Sequence, residues 1–455
     1  MNKTDIIEIL NEWNYWNREL PATHFRPIYG DKIDLYMQSD EVVVIKGIRR
    51  SGKSTLMVNR IKDLIASGVD VKNILFVNFE DPRFINHLDT ALMEQIKSVY
   101  MEYLNPDAKP YIFLDEIQNV PLWEKWVNKE YELSLSHIVL SGSNSSLLSS
   151  EIASTLSGRY LGVDVYPLSF SEYLSFNGVH ISNKLELINE KIVLARYFES
   201  YMKNGAFPKT LEYNDEQITE LLISYKDSIL LKDIVARYKL KEFSKLEEIA
   251  AFLLSNTGTT QSISKIKNAF NISHDMARNY VEYLCKAYML FEVPKFDYSL
   301  RKQNANDKKY YSIDLGLSNI LRVPNLQHRG SNLETLVYLE LIRRGYKVYY
   351  YKTSTGLECD FAIEKNRKIV GLIQVTVSLK EEKTKKRELR SFAKSIEELS
   401  LVDVSCMVIC EDASGDEIYD GVEIKVVNVI EWLLLDKDRY VKEISNATKY
   451  PDSRK

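Results

Sequence analysis

The chain has 455 residues, 45% hydrophobic and 27% charged, which is the balance of an ordinary soluble globular protein. This length is too great for one core, so two to four domains are expected. A formal net charge of −4 excludes a global basic field, and any nucleic-acid surface must therefore be local. The four cysteines form no C-x-x-C pair and have no histidine cluster beside them, which predicts neither a zinc site nor a disulfide framework.

The amino-terminal segment MNKTDIIEILNEWNYW is polar and amphipathic and lacks the apolar core of a signal peptide. Apolar runs such as Val42–Ile45 and Trp432–Leu435 are too short to cross a bilayer. The cysteine usage fits a reducing compartment. We therefore expect a cytoplasmic protein without a membrane partner.

The segment VVVIKGIRRSGKSTLM, Val42 to Met57, carries the strongest motif in the chain. A β-branched run, typical of a buried parallel strand, leads into a sequence that satisfies G-x-x-x-x-G-K-[ST]. A helix with regular apolar spacing follows and ends near Gly68. This context predicts a phosphate-binding loop. Its nucleotide-binding residues are expected to be Gly47, Ile48, Arg49, Arg50, Ser51, Gly52, Lys53, Ser54 and Thr55.

The residue types explain how this loop would hold ATP. Gly47 and Gly52 let backbone N–H groups turn toward phosphate oxygens, and the helix N-terminus adds its dipole. Lys53 is expected to reach the β- and γ-phosphates, and Ser54 to coordinate Mg²⁺. Arg49 and Arg50 lie inside the loop, where they either contact phosphate or are solvated.

A second predicted strand, in PYIFLDEIQNV, ends in Asp115-Glu116. Acids at the carboxyl end of a parallel strand lie beside the phosphate loop in this class of fold. We expect Asp115 to hold Mg²⁺, directly or through water, and Glu116 to act as the general base toward the attacking water. The second acid favours hydrolysis of ATP over static binding.

The order of these elements resembles that of an AAA+ ATPase. Buried-strand runs over Asn73–Phe84 and His137–Leu148 complete the set, and the second run ends in small polar residues. In that family a polar residue after this last strand contacts the γ-phosphate or the water. Ser143 and Asn144 are the matching residues here, and the alternative for both is a polar loop cap.

Further segments resemble one group of prokaryotic AAA+ ATPases that carry a C-terminal restriction-endonuclease-like domain. They are Leu156-Ser157-Gly158-Arg159, Pro167-Leu168-Ser169-Phe170-Ser171-Glu172, the turn NGAFP (Asn204–Pro208) and a Glu-x-Asp strand near the carboxyl end. The resemblance covers nearly the whole chain. It implies that Arg159 stabilises the γ-phosphate charge, in cis or from a neighbouring subunit of a homo-oligomer. The alternative is a surface or ion-paired arginine.

These patterns predict an α/β fold in which a P-loop AAA+ core is followed by a helical lid, a winged helix-turn-helix and a restriction-endonuclease-like domain. The predicted domains are 1–175 for the ATPase core, 176–240 for the lid, 241–325 for the winged helix, 326–435 for the degenerate nuclease-like domain and 436–455 for a tail.

The winged helix is predicted from three helices, Lys245–Ser255, Ser262–Phe270 and Ser273–Leu290, followed by strands around Phe291–Phe296 and Lys309–Ile313. The third helix would be the recognition helix, and the basic link between the strands would form the wing. The alternative is a packing or protein-interaction module, because acidic residues dilute the basic charge. The residues expected to face DNA are His274, Arg278, Asn279, Arg301, Lys302, Lys308 and Lys309.

The last domain is predicted to begin with a helix, Ser331–Arg344, and to continue with strands Lys347–Lys352, Glu358–Glu364 and Ile369–Ser378. A basic helix and two more strands follow. This order matches the restriction-endonuclease-like core, in which an acid on the first helix, an Asp and an acid-x-Lys jointly bind Mg²⁺.

In this chain Glu334 matches the helix acid, and Glu358 and Asp360 share one face of a strand. Gln374 replaces the second acid, and Thr376 replaces the lysine. A neutral amide and a hydroxyl cannot supply the charges that phosphodiester cleavage needs, so we predict a degenerate nuclease site.

The sequence as a whole predicts ATP binding and Mg²⁺-dependent ATP hydrolysis, acting on or regulated by DNA or a protein partner. One alternative is an ATP-gated DNA-binding or regulatory switch with slow hydrolysis. Another is a DNA nuclease that uses the C-terminal domain, with Lys352 of a neighbouring strand as the substitute cation.

Overall fold

The computed structural model describes residues 1–143, 156–323 and 328–435. The chain divides into two compact units, which are described separately. The first comprises Met1–Pro167 and Lys286–Tyr288, and the second comprises Leu168–Cys285 and Met289–Lys455. Within the three described ranges, every helix is either too short or too polar to cross a bilayer.

A five-stranded parallel sheet forms the centre of the first unit. Its spatial order is β2-β3-β4-β1-β5, and all neighbouring strands run parallel. The carboxyl ends of β1, β3 and β4 therefore meet at one edge of the sheet. This arrangement confirms the predicted α/β fold with a parallel sheet. The strands are β1 (Val42–Lys46), β2 (Ile74–Asn78), β3 (Tyr111–Asp115), β4 (His137–Gly142) and β5 (Tyr160–Asp164).

Helices cover both faces of this sheet, which explains why its strands are apolar at nearly every position. Val42 and Val44 of β1 face one core, whereas Val43 and Ile45 face the other. The helices on the first face are α1 (Lys3–Trp13), α4 (Thr90–Leu104) and α5 (Trp123–Glu132), and those on the second face are α2 (Pro27–Met37) and α3 (Lys53–Ala66).

The second unit begins with helices, in the region predicted as a lid. Ser169 caps the first of them, because its hydroxyl accepts the Glu172 N–H while the Glu172 carboxylate accepts the Ser169 N–H. The helices are α6 (Phe170–Phe176), α7 (Lys184–Asn189), α8 (Lys191–Asn204), α9 (Asp215–Ser228) and α10 (Ala236–Tyr238), with a π-helical segment, Ile229–Val235, before α10.

Three helices and a three-stranded antiparallel sheet of order β6-β8-β7 follow. The predicted third helix ends at Lys286 instead of Leu290, since Tyr288 adopts a left-handed backbone conformation. The link before β8 contains a short helix that the sequence did not predict. The elements are α11 (Phe243–Ser255), β6 (Thr259–Gln261), α12 (Ile263–Phe270), α13 (His274–Lys286), β7 (Leu290–Pro294), α14 (Leu300–Ala305), β8 (Lys308–Ser312) and α15 (Leu315–Asn319).

The chain ends in a six-stranded mixed sheet, called here the C-terminal sheet, of order β13-β14-β12-β11-β10-β9. The strand β13 was not predicted, because it is short, polar and exposed at the edge of the sheet. The elements are α16 (Arg329–Arg343), β9 (Lys347–Lys352), β10 (Glu358–Lys365), β11 (Lys368–Val375), α17 (Glu382–Leu399), β12 (Ser405–Cys410), β13 (Gly415–Tyr419), β14 (Val422–Asn428) and α18 (Val429–Leu435).

The NGAFP turn after α8 is held by a buried carboxylate. Asp314 accepts the Ala206 N–H at 2.6 Å and the Leu317 N–H at 3.1 Å, and so joins the turn to the start of α15. Gly205 has a φ of 75°, and a Cβ at this position would lie 2.2 Å from Asp314 Oδ1. Burial raises the pKa of Asp314 to about 6, although the backbone N–H donors oppose this shift.

The raised pKa of Asp314 predicts a pH dependence of stability. In the unfolded chain the carboxyl loses its proton near its ordinary pKa of 3.8, whereas in the folded chain it keeps the proton to about pH 6. Its contribution to the free energy of unfolding therefore falls, by up to about 3 kcal/mol, as the pH rises through this window. Urea unfolding of the wild type and Asp314→Asn at about pH 4.5 and 7.5 measures this difference. If the two proteins differ equally at both pH values, the raised pKa is contradicted.

Candidate nucleotide site

The loop between β1 and α3 begins and ends at glycines in conformations that other residues avoid. Gly47 has a φ of 152° and Gly52 a φ of 94°. The Lys53 ammonium donates to the carbonyl oxygens of Gly47 at 3.0 Å and Ile48 at 3.1 Å, so the lysine lies against the curled loop. Ser54 and Thr55 are exposed in the first turn of α3. The side chain of Ile48 is completely buried, so only its backbone can face a nucleotide.

Gly47 is the more constrained of the two glycines. A Cβ at this position would lie 2.0 Å from the carbonyl oxygen of Val165, a backbone atom that cannot rotate away. We expect Gly47→Ala to lower the free energy of unfolding of the first unit by about 3 kcal/mol and to weaken nucleotide binding. Gly68→Ala is the matched control, because Gly68 also has a positive φ but open space around it. Equal losses in the two variants, measured by urea unfolding, would refute the steric argument.

The end of β3 places Asp115 against the phosphate loop. Ser54 Oγ donates to Asp115 Oδ2 at 2.7 Å, and the Ser141 hydroxyl of β4 donates to Asp115 Oδ1. Burial raises the pKa of Asp115, and the neighbouring charge of Glu116 raises it further. A buried carboxylate bonded to two hydroxyl groups forms an oxygen-rich centre at the carboxyl edge of the sheet.

Glu116 has a left-handed backbone with a φ of 54°, a conformation that costs a residue other than glycine about 1 to 3 kcal/mol. Its N–H donates to Ser141 Oγ at 3.2 Å, and its Oε1 lies 3.9 Å from Lys53 Nζ. Gln118 donates its amide to Glu116 Oε2, and the same nitrogen lies 3.2 Å from Ser143 Oγ. The carboxylate of Glu116 is therefore held between the loop lysine and the end of β4.

The two loop arginines have different surroundings. The Arg49 side chain is buried, and its guanidinium pairs with Glu80 Oε1 at 2.7 Å. It is therefore not the solvated side chain that one of the sequence alternatives described. Arg50 is exposed and has a φ of 70°. On the other side of the loop, Arg26 donates to the carbonyl oxygen of Ser51 at 2.8 Å.

Comparison with known families matches three segments of the chain. Residues 39–174 match the family model described as AAA domain. Residues 195–327 and 329–431 each match a domain of unknown function, DUF8612 and DUF4143 respectively. An uncharacterized protein of Methanocaldococcus jannaschii is 32% identical over 394 residues, which cover 85% of this chain and 85% of that protein.

The chain belongs to this family of AAA-domain proteins. An uncharacterized protein of Haemophilus influenzae is also similar, with 30% identity over 419 residues that cover 90% of this chain and 98% of that protein. The sequence similarity to these relatives therefore extends over nearly the full length of the chain and is not limited to the AAA domain.

Solved structures similar to this AAA-domain protein include the Aeropyrum pernix ORC1 protein in complex with DNA. That likeness has 10% identity and a TM-score of 0.33, and it covers 66% of this chain and 93% of ORC1. The AMPPCP-bound DnaA from Aquifex aeolicus has 14% identity and a TM-score of 0.27, covering 60% of this chain and 92% of DnaA.

Arg159 of this AAA-domain protein lies away from the phosphate loop. It precedes β5, beside the amino end of β1, whereas the loop follows the carboxyl end of β1. Its guanidinium bonds Glu132 Oε1 at 2.8 Å and the Asn128 side chain, as in the ion-paired alternative. In this conformation the Arg159 side chain therefore does not face the phosphate loop of its own chain. A role from a neighbouring subunit stays a prediction. Asn144 lies outside the described residues.

Three residues around the site were not predicted. Ser141 contacts Asp115, Gln118 contacts Glu116, and Arg26 contacts the loop carbonyl of Ser51. The sequence contained a signal for two of them. Ser141 lies near the end of β4, the strand beside β3, and Gln118 lies two positions after Glu116. Arg26 carried none, because it lies 25 residues before Ser51 and only folding brings it to the loop.

The predicted nuclease-like residues lie together in the second unit, but around a lysine. Glu334, Glu358 and Asp360 all face Lys309 of β8, which was expected to be an exposed residue of the wing. Gln374 is buried beside them. The predicted restriction-endonuclease-like domain is not supported, since the family match over this region is to a domain of unknown function.

Proposed function

We propose that this AAA-domain protein binds ATP with Mg²⁺ and hydrolyses it between the loop 47–55 and the Asp115-Glu116 pair. The observation that carries the proposal is the hydrogen bond of 2.7 Å between Ser54 Oγ and Asp115 Oδ2. It joins the expected metal-binding hydroxyl of the loop to the expected metal-binding carboxylate of β3. The match of residues 39–174 to an AAA domain gives independent support.

The donor groups present fit Mg²⁺. The hydroxyl of Ser54 and the carboxylate of Asp115 are oxygen ligands of the kind this ion prefers. Asp115 and Glu116 are adjacent buried acids, and the nearest ammonium, on Lys53, is 3.9 Å from Glu116 Oε1 and donates to loop carbonyls instead. When bound, Mg²⁺ would neutralise charge on the phosphate oxygens.

The residues of the chain then have distinct roles. The backbone N–H groups of the loop and the Lys53 ammonium bind and orient the phosphates. Glu116 takes a proton from the water that attacks the terminal phosphorus, and the bond from that phosphorus to the ADP oxygen breaks. The strained backbone of Glu116 and its bond to Gln118 hold the carboxylate in a defined position.

A slow ATP-gated switch is the second candidate for the same site. The amide of Gln118 donates to Glu116 Oε2 and so occupies one of the two carboxylate oxygens that could accept a proton from water. The same amide nitrogen reaches Ser143, at the end of β4. A change at β4 that breaks this bond would release Glu116 and raise the rate. This alternative predicts low turnover in the isolated protein.

DNA is a proposed partner of the three-helix and three-strand region. His274, Arg278 and Asn279 are exposed on α13, and Arg301 and Lys302 are exposed on α14. These residues support the recognition-helix and wing assignments. Two residues of the predicted set do not share this exposure. Lys309 is buried, and Lys308 donates to the carbonyl oxygen of Gln303 at 2.7 Å.

Steady-state ATP turnover with Mg²⁺ and with a chelator tests the proposed function, and molecular mass in solution is measured in parallel. Mg²⁺-dependent turnover supports hydrolysis. A low rate that rises with double-stranded DNA supports a DNA-regulated enzyme, and a low rate that DNA leaves unchanged favours the switch. Absence of ATP binding would refute both. An oligomer formed with ATP would support the role of Arg159 from a neighbouring subunit.

A further inference from the structure

Three carboxylates of the second unit surround one buried ammonium group. Lys309 Nζ lies 2.8 Å from Glu334 Oε1, 2.5 Å from Glu358 Oε1 and 3.6 Å from Asp360 Oδ1. The Lys309 side chain is only 3% exposed. Glu334 belongs to α16, and the other two acids belong to β10, so the lysine joins β8 to both elements. The three acids are called here the carboxylate cluster.

The groups beside the carboxylate cluster are already committed to internal hydrogen bonds. Gln374 Oε1 accepts the Asp360 N–H at 2.7 Å, while its Nε2 donates to the Glu358 carbonyl at 3.0 Å and to Glu388 Oε2 at 2.8 Å. Asp360 Oδ2 accepts the Val375 N–H at 2.9 Å. Glu334 Oε1 accepts the Tyr311 hydroxyl at 2.6 Å. Gln374 therefore holds β10 in place instead of offering its oxygen to a metal.

A divalent cation does not fit this arrangement. Mg²⁺ requires oxygen ligands at about 2.0 to 2.1 Å around an open centre, and here the lysine nitrogen lies between the acids. In the ranges 1–143, 156–323 and 328–435, no group of three or more His, Cys, Asp or Glu side chains is arranged to hold a metal ion. The metal site that the nuclease-like resemblance implies therefore does not fit the arrangement of these side chains.

We infer that Lys309 takes the place of a metal ion in the carboxylate cluster, so that the C-terminal sheet works without a divalent cation. Lys309 belongs to the three-stranded sheet and supplies the positive charge that offsets these partly buried acids. The hydroxyl groups of Thr257 and Thr335 add a buried hydrogen bond of 2.9 Å across the same junction. The ion pairs therefore hold β8 against α16 and β10.

The alternative cations are unsuited to the same role. Lys380 is 83% exposed and lies 3.6 Å from Asp412, and Lys352 is exposed at the end of β9. The electrostatics agree with an internal cation. Burial by itself lowers the pKa of Lys309, but the charge of Glu334 and the other acids outweighs it and holds the pKa well above the ordinary value.

The test uses the full chain without nucleotide and Mn²⁺ as the probe. We expect any shift in unfolding temperature that Mn²⁺ causes in the wild type to be the same in Glu358→Gln, because the carboxylate cluster does not bind the ion. We expect Lys309→Met to reduce the folded-to-unfolded ratio by about tenfold or more, because the carboxylate cluster loses its cation. Adding Glu358→Gln to Lys309→Met should restore part of this loss, since one of the repelling charges is removed.

Lys308→Met is the matched control, because it removes an ammonium from the adjacent position of β8. Two results would overturn the inference: Mn²⁺ stabilisation of the wild type that depends on Glu358, or a Lys309→Met protein as stable as Lys308→Met. If Lys309→Met does not fold, the double variant and the Mn²⁺ titration of the wild type still decide. None of these readouts involves ATP turnover, so a failure here is distinct from a failure of the proposed ATPase.

Discussion

Lys53→Ala is expected to weaken ATP binding by at least about a hundredfold. The ammonium group is a fully charged donor placed where the loop receives the phosphates, and each hydrogen bond to a charged group contributes about 1.5 to 3 kcal/mol. Loss of the two bonds expected from Lys53 to the β- and γ-phosphates therefore weakens binding by about 3 to 6 kcal/mol. Each 1.4 kcal/mol is a factor of ten in affinity. Titration with a fluorescent ATP analogue, in the presence of Mg²⁺, measures the effect.

The control for this experiment is Lys62→Ala, on the same helix. The Lys62 ammonium donates a hydrogen bond to the Thr23 hydroxyl at 2.7 Å, which lies outside the phosphate loop. We expect the Lys62→Ala protein to bind ATP with an affinity close to that of the wild type. Since Lys53 also bonds the carbonyl groups of Gly47 and Ile48, thermal unfolding of both variants must be compared. A Lys53→Ala protein that is folded and binds ATP within a few-fold of the wild type would contradict the assigned role of Lys53.

Glu116→Gln is expected to leave ATP binding within a few-fold of the wild type and to lower turnover by about a hundredfold to ten-thousandfold. An amide has nearly the same shape as the carboxylate but cannot take a proton from water. Its oxygen can still accept the hydrogen bond from Gln118, so the local structure should persist. Steady-state release of phosphate, together with the ATP affinity, measures the two effects separately.

Glu102→Gln is the control, because Glu102 is an exposed acid on α4 of the same unit, paired with Lys3. It should hydrolyse ATP like the wild type. Turnover in Glu116→Gln equal to that of the control would remove the general-base assignment. Loss of ATP binding in Glu116→Gln would instead indicate that this acid belongs to the binding site.

Much of the fold follows from local patterns in the sequence. The β-branched run Val42–Ile45 and the glycine spacing after it define a strand, a loop and a helix within 25 residues, since each conformation depends mainly on near neighbours. Longer elements such as α11 and β9 were predicted within two residues of their bounds. Short or polar elements, such as β6, β13 and α14, were not predicted, because they bury too little apolar surface to leave a periodic pattern.

The candidate nucleotide site could be assembled from the sequence because its parts follow strand ends. Parallel pairing brings the ends of β1, β3 and β4 to one edge, so the sequence alone predicts that Lys53, Asp115 and Ser143 lie near one another. Which partner each side chain chooses was not predictable. The bond from Gln118 to Glu116 and the pairing of Arg49 with Glu80 depend on side-chain positions that no spacing rule describes.

The sequence by itself determined the phosphate loop, the acidic strand end and the parallel sheet that joins them. Only the tertiary structure decided the chemistry of the C-terminal cluster. Lys309 lies 25 residues before Glu334 and 51 before Asp360, in a segment that reads as a basic wing. Folding buries it against three partly exposed acids, because carboxylates held close together require a positive charge and Lys309 is the lysine of β8 that reaches them. The pairing of Lys309 with these acids depends on how the three-stranded sheet packs against the C-terminal sheet, and local sequence does not encode that packing.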